Sequence, residues 1–199
     1  MTITPINGRR SRGALTVTAG LAVGVLTSFG QTYLNGTLGP FVNSVSAWLI
    51  APFLLGLLMR TPRGGAAAGL AAALLQLLSY YVTAHLRGYP AGGTIVVFWA
   101  VCAVLGGPLF GFAAYVGRRG ARPWHGIGLS ALSAVFLAEG IWTYVHELHS
   151  YGAAGIWVGI ALGIALLIPR GRELRWLGLA VPLAMLGEIA LTQVYTTAF

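Results

Sequence analysis

Acid is almost missing from this chain. Its 199 residues hold four glutamates and no aspartate, while all twelve basic residues are arginine and lysine does not occur. Charged residues are 8% of the whole, against roughly a quarter in an average soluble domain, so a water-facing surface of ordinary composition is excluded. One cysteine, Cys102, in an apolar run, rules out an internal disulfide and reads as a small packing residue. A glycine-rich phosphate loop, a nucleophile elbow and an HExxH pattern are also missing, so no cofactor is expected. The net charge of +8 comes from short arginine clusters beside apolar runs instead of one basic face, which argues against nucleic acid as a partner.

What is present is hydrocarbon: 57% hydrophobic residues and a mean hydropathy of +0.79. The expected fold class is all-α, a polytopic membrane helix bundle surrounded by lipid. At about 20 residues per span, the length allows at most about seven or eight spans and no soluble domain, so residues 1–199 form a single domain. Breaks at Arg, Pro and Gly clusters leave seven apolar segments, at 14–34, 42–59, 64–86, 93–117, 126–146, 151–169 and 174–195. The first is too long for a signal-peptide core and is expected to be retained as a helix.

Arginine placement orients the bundle. Arg9, Arg10 and Arg12 precede span one, Arg60 and Arg63 follow span two, Arg118, Arg119 and Arg122 follow span four, and Arg170, Arg172 and Arg175 follow span six. Eleven of twelve thus fall on one side, with Arg87 the exception, which predicts a cytoplasmic N-terminus and puts Phe199 outside. The location expected is the inner (cytoplasmic) membrane, crossed several times. Small residues recur at four-residue spacing in Gly65, Gly69 and Ala73, in Gly107 and Gly111, and in Gly155, Gly159 and Gly163, and predict close helix packing within the bundle or between subunits. The turn formers from Asn35 to Pro40 predict a plain loop more than a segment dipping into the bundle.

Two of the rare acids then stand out. Glu139 and Glu188 sit inside apolar spans, where an ionisable group costs roughly 2.5–3.5 kcal/mol on insertion scales and is functional by default. Each is expected on the order of 10 Å below the outer surface at 1.5 Å per helical residue. Other polar groups gather in the same half: Ser28, Gln31, Asn43, Ser44, Ser46, Gln76, Ser79, Tyr80, His85, Thr94 and Trp99. The inner halves are Ala, Leu, Val and Gly, which predicts a pocket reached from outside above a closed inner half.

Helical spacing places Glu139, Trp142 or Thr143, and His146 along one face of span five, and Glu188, Thr192 and Tyr195 along one face of span seven. A carboxylate beside Trp and Tyr suits an organic cation through charge pairing and the ring quadrupole. It also suits proton donation if burial holds the acid protonated. The bland alternatives are an interfacial belt for Trp142, Tyr144, Tyr151, Tyr80 and Tyr81, and a hydrogen-bonded structural role for the glutamates, paired with Gln76 or Tyr80. His146, Glu147 and His149 scarcely supply the ligands of a zinc site, and no metal is assigned to them. Glu173, among Arg170, Arg172 and Arg175, reads as a surface ion-pair partner.

Phe29-Gly30-Gln31 through Leu38-Gly39-Pro40-Phe41, then Trp48 and Arg60-Thr61-Pro62-Arg63-Gly64, resembles the front half of thiamine-type substrate-binding subunits of energy-coupling factor vitamin transporters. Ser46-Ala47-Trp48 to Pro52-Phe53-Leu54-Leu55-Gly56 and Leu105-Gly106-Gly107-Pro108-Leu109-Phe110-Gly111 resemble an uncharacterised family of small bacterial membrane proteins. Together the matches cover about half of the chain. The transporter resemblance implies capture of a vitamin or related heterocycle in the outer half and delivery to partner subunits. Those subunits have six helices with both ends inside, so the seventh span would be an addition. Small seven-span terpene cyclases are similar in size and in buried acids among aromatics; on that reading Glu188 is the general acid and Glu139 its partner. A structural or assembly subunit, including a homo-oligomer, is the third reading.

Overall fold

Where two helices must touch in lipid, the backbone can approach only as far as side chains permit. This is why the glycines matter here. A methyl group at Gly69 would overlap the Gly107 carbonyl oxygen, and one at Gly111 would overlap that of Gly65. The computed structural model, which describes residues 8–168 and 172–198, joins α1 (Arg9–Tyr33), α2 (Val45–Leu58), α3 (Pro62–Leu86), α4 (Gly93–Arg119), α5 (Ile127–Glu139), α6 (Tyr151–Leu166) and α7 (Arg175–Ala198). No strand occurs among the described residues. Arg170 and Phe199, used above to orient the chain, lie outside them.

The close contacts fix direction. Gly20 and Gly24 of α1 meet Ala72 and Gln76 of α3 in ascending order, so these helices are parallel, whereas Gly65 and Gly69 meet Gly111 and Gly107 in descending order, so α3 and α4 are antiparallel. α5 and α7 run parallel, tied by Pro123 to Arg175 at one end and by Thr143 to Glu188 further along. The seven α-helices therefore alternate, and Arg10, Arg60, Arg63, Arg118, Arg119, Arg122 and Arg175 gather at one end. Arg87, at the other, closes the C-terminus of α1. It donates to the Ser28 carbonyl and to Thr32 Oγ1, and its guanidinium lies 4.4 Å from the centre of the Phe29 ring. A cation there complements the helix dipole.

Among the described residues, five helices are long and apolar enough to cross a membrane: Arg10–Tyr33, Pro62–Leu86, Gly93–Arg119, Arg122–Glu147 and Arg175–Ala198. α6 is apolar but has only 16 residues. The region of span two departs from the expectation of a single straight segment at 42–59. A 3-10 helix, Gly36–Val42, comes first and meets α2 at a bend of 52°, so the pair makes a sixth crossing only if its two parts are one broken span. The connection expected to be a plain loop is this 3-10 helix, tightened by Pro40, whose carbonyl accepts from the Asn43 N–H at 3.0 Å. α2 itself has 14 residues, about 21 Å at the α-helical rise and short of a 30 Å hydrocarbon layer.

Ser44 starts α2 by accepting from the Ala47 N–H at 3.0 Å, as an N-cap does. Further along, Pro52 interrupts the ladder: having no N–H, it cannot serve the Trp48 carbonyl four residues earlier. In lipid that carbonyl must find another donor. Gln76 Nε2 of α3 supplies it at 3.2 Å.

The second departure is in span five. An α-helix was expected through 146, but after Glu139 the winding loosens into a π-helix, Gly140–Glu147. Gly140 admits this wider coil against α6, since an added methyl would sit 3.0 Å from the Trp157 Cβ. In a π-helix residues five apart lie over one another, not those three or four apart. The face drawn through Glu139, Trp142 and His146 is thereby redrawn.

Candidate functional site

Glu139, on the last turn of α5, is 3% exposed and aims at the start of α2. Its Oε2 accepts from Ser44 Oγ at 2.9 Å, from the Ser46 backbone N–H at 2.9 Å and from Ser46 Oγ at 2.5 Å. Oε1 accepts from Tyr144 Oη at 3.1 Å. Tyr144 is five residues on, the separation that the π-helix brings into line. Behind the serines, Trp157 of α6 donates its indole N–H to Ser46 Oγ at 2.9 Å and Ser44 Oγ at 3.2 Å. A carboxylate among the first N–H groups of a helix is favoured by its free donors and its dipole. Glu139 is thus a second cap of α2, supplied from another helix, and it knots α2, α5 and α6 together.

This changes the part expected of Glu139. Both carboxylate oxygens are occupied by protein donors, so as built it presents no atom to a solute. The expected pairing with Gln76 or Tyr80 is not made: Gln76 serves the Trp48 carbonyl, and Tyr80 packs edge-on to Trp48 and to Tyr81 with ring centres 5.5 and 4.9 Å away. Tyr144 is 4% exposed, within the core and not in an interfacial belt.

Glu188 has a different environment. It stands half-buried on α7, and its Oε1 accepts from Thr143 Oγ1 of the π-helix at 2.5 Å. Thr143 is its one hydrogen-bond donor among the described residues. Next to Thr143 in sequence, Trp142 packs at a tilt against His146, with ring centres 4.5 Å apart. The Trp142 indole N–H is shielded from solvent and has no acceptor. On α7, Thr192 donates to the Glu188 backbone carbonyl at 2.9 Å, so its hydroxyl is engaged within the helix. Two turns from Glu188, Tyr195 meets Trp99 and Phe98 of α4, with ring centres 6.3 and 5.9 Å away.

The expected site residues therefore divide among several interfaces. Gln31 donates to Asn43 at 2.6 Å in an exposed position between the end of α1 and the break before α2. Gln76 and Tyr80 lie between α2 and α3, Trp99 between α4 and α7, and Trp142, His146 and Glu188 along the π-helix and α7. His146 and His149 are both exposed, and no three His, Cys, Asp or Glu side chains converge among the described residues. Gln76, fully buried, keeps its Oε1 without a partner.

The sequence places Ser44, Ser46 and Tyr144 without linking them to Glu139, puts Thr143 on the face of Glu139 where the structure gives it to Glu188, and offers no sign of Trp157. A cap signal was present in Ser44-Val45-Ser46 ahead of the apolar run. Nothing in the local pattern indicated that a carboxylate 93 residues on would complete the cap. Over residues 4–198 the chain matches the profile of one family, described as a family of unknown function (DUF6518). No curated protein and no solved structure matches it.

Proposed function

We propose, since the chain belongs to that family of unknown function, a reading taken from the site alone: the protein is a multi-pass membrane protein that binds a small organic solute at Glu188. The observation that carries it is the contrast between the two acids within apolar helices. Glu139 is filled by protein donors, whereas Glu188 takes one hydrogen bond from Thr143 and retains an oxygen for a ligand. The unpartnered Trp142 indole N–H, on the residue next to Thr143, adds a donor on the same π-helix, and the Trp142 ring is suited to a cationic or heterocyclic solute. With the arginine-rich end in the cytoplasm, the site belongs to the outer half of the inner membrane. This use is that of a solute-capture subunit, with partner chains supplying any transport energy.

Catalysis by Glu188 as a general acid on an isoprenoid uses the same carboxylate. An assembly role draws support from α6, where Gly155, Gly159 and Gly163 face away from the bundle with nothing near their α-carbons. Native mass spectrometry of the purified wild type and of Glu188→Gln separates the three. Solute capture requires a polar or heterocyclic small molecule on the wild type, at least tenfold depleted in a folded Glu188→Gln variant. An isoprenoid instead would favour the cyclase. A wild type that carries nothing, or equal retention by the variant, would sink the solute site and leave assembly as the stronger reading.

A further inference from the structure

The opposite, arginine-rich end holds two open clefts, among the described residues, where the α4–α5 turn meets the end of α6 and the start of α7. One, of about 500 Å³, is walled by Leu162, Ala165, Leu166, Ile168 and Leu174. The other, of about 520 Å³, is walled by Arg122, Pro123, Glu173 and Arg175. They adjoin, because Leu174 of the first follows Glu173 of the second. A methyl at Gly126 would also meet both Ile168 Cγ2 at 3.2 Å and Glu173 Cβ at 3.3 Å.

The junction is braced. Arg175 and the Trp176 indole N–H both donate to the Pro123 carbonyl, at 3.0 and 2.7 Å, and Trp176 stacks on Trp124 with ring centres 5.1 Å apart. Paired indoles at this level are what an interface selects.

We propose that these two clefts together seat one anionic phospholipid, its phosphate against Arg122 and Arg175 and an acyl chain along Leu162, Ala165 and Leu166. Charge complementarity commits the occupant. Among the described side chains the cleft sets two guanidiniums against the single Glu173 carboxylate, an excess of positive charge that an anionic headgroup complements and a zwitterionic one does not. Guanidinium suits phosphate through its planar fork of donors. The apolar cleft opens on the bare flank of α6, where Leu162 and Leu166 are exposed, so a chain entering it remains continuous with the bilayer. Basic pockets between helices on the cytoplasmic side are recognised seats for such headgroups. The inference is independent of the proposed solute site, which lies at the other end.

The test is native mass spectrometry of the delipidated full chain, titrated with phosphatidylglycerol or phosphatidylcholine. Wild type should retain one phosphatidylglycerol and prefer it to phosphatidylcholine. Arg122→Gln should weaken that retention about fivefold, the effect of one arginine near an anionic surface. Leu166→Asn should weaken it as well, since an acyl chain shares the site. Arg119→Gln, at the same end but outside both clefts, should leave it unchanged. Equal retention of phosphatidylcholine, or equal losses from Arg119→Gln and Arg122→Gln, would overturn the proposal. So would indifference to Leu166→Asn, which would describe a site for free phosphate. Arg175 braces the turn, so Arg122 is the arginine to vary.

Discussion

Glu139 stands in apolar surroundings without a basic partner among the described residues, and four hydrogen bonds from three side chains and one backbone N–H hold it there. Replacing it with leucine would leave Ser46 N–H, Tyr144 Oη and one of the two serine hydroxyls, which lie 3.0 Å apart, without an acceptor. Each buried donor so stranded costs about 1–3 kcal/mol. Glu139→Leu is therefore expected to lower the thermal unfolding midpoint in detergent sharply, and Glu139→Gln, which keeps one acceptor oxygen, to lower it less. An unchanged midpoint for the leucine variant would show that the cap does not hold α2. Glu188→Gln should leave the midpoint close to wild type, since Thr143 can donate to an amide oxygen equally well. The same residue type in similar apolar runs thus has two environments, set by how many donors reach it.

At the scale of the helix, α2 is short, bent away from its 3-10 neighbour and interrupted by Pro52, and at each weak point another helix supplies the missing group. Glu139 of α5 completes its N-terminus, Gln76 of α3 serves the Trp48 carbonyl, and Arg118 of α4 donates to the Leu57 carbonyl at 3.2 Å near its C-terminus. The second of these contacts can be tested directly. Gln76→Leu should destabilise by about 1 kcal/mol, within the range of interhelical hydrogen bonds in membranes. Adding Pro52→Ala, which restores a backbone N–H to the same carbonyl, should recover most of it in a double-mutant cycle. Purely additive effects would mean that Gln76 acts by packing alone. The π-helix belongs to the same scale: loosening the coil after Glu139 lets Tyr144 reach back to Glu139 while its neighbour Thr143 reaches across to Glu188.

For the whole molecule, the alternating helices and the arginines at one end predict which loops face which side. In a Cys102→Ser background, Gly92→Cys should react with a membrane-impermeant maleimide applied to intact cells, whereas Gly120→Cys should react only after lysis. The reverse pattern would invert the topology and place Glu188 in the inner half. α7 carries no buried residue and packs chiefly through α5 and the π-helix, so the carboxylate proposed to hold a solute stands on the helix least enclosed by the bundle.

Much of this protein is written in composition and period. Scarce charge and long apolar runs determine a membrane helix bundle, because lipid admits only backbones that satisfy themselves. The Gly65, Gly69, Gly107 and Gly111 spacing foretells close helix packing, because side-chain size limits backbone approach, and the structure makes it the α3–α4 contact. What the chain alone does not carry is which donors meet which carboxylate. The bend before α2 and the π-helix after Glu139 shift register by fractions of a turn, and no local residue pattern encodes those shifts. Only the packing of α2, α5 and α6 brings Ser44, Ser46, Tyr144 and Trp157 around Glu139 and leaves Glu188 with Thr143. A hydrogen bond depends on tenths of an ångström across helices distant in sequence, so the two acids, alike in the chain, become different groups only in the folded molecule.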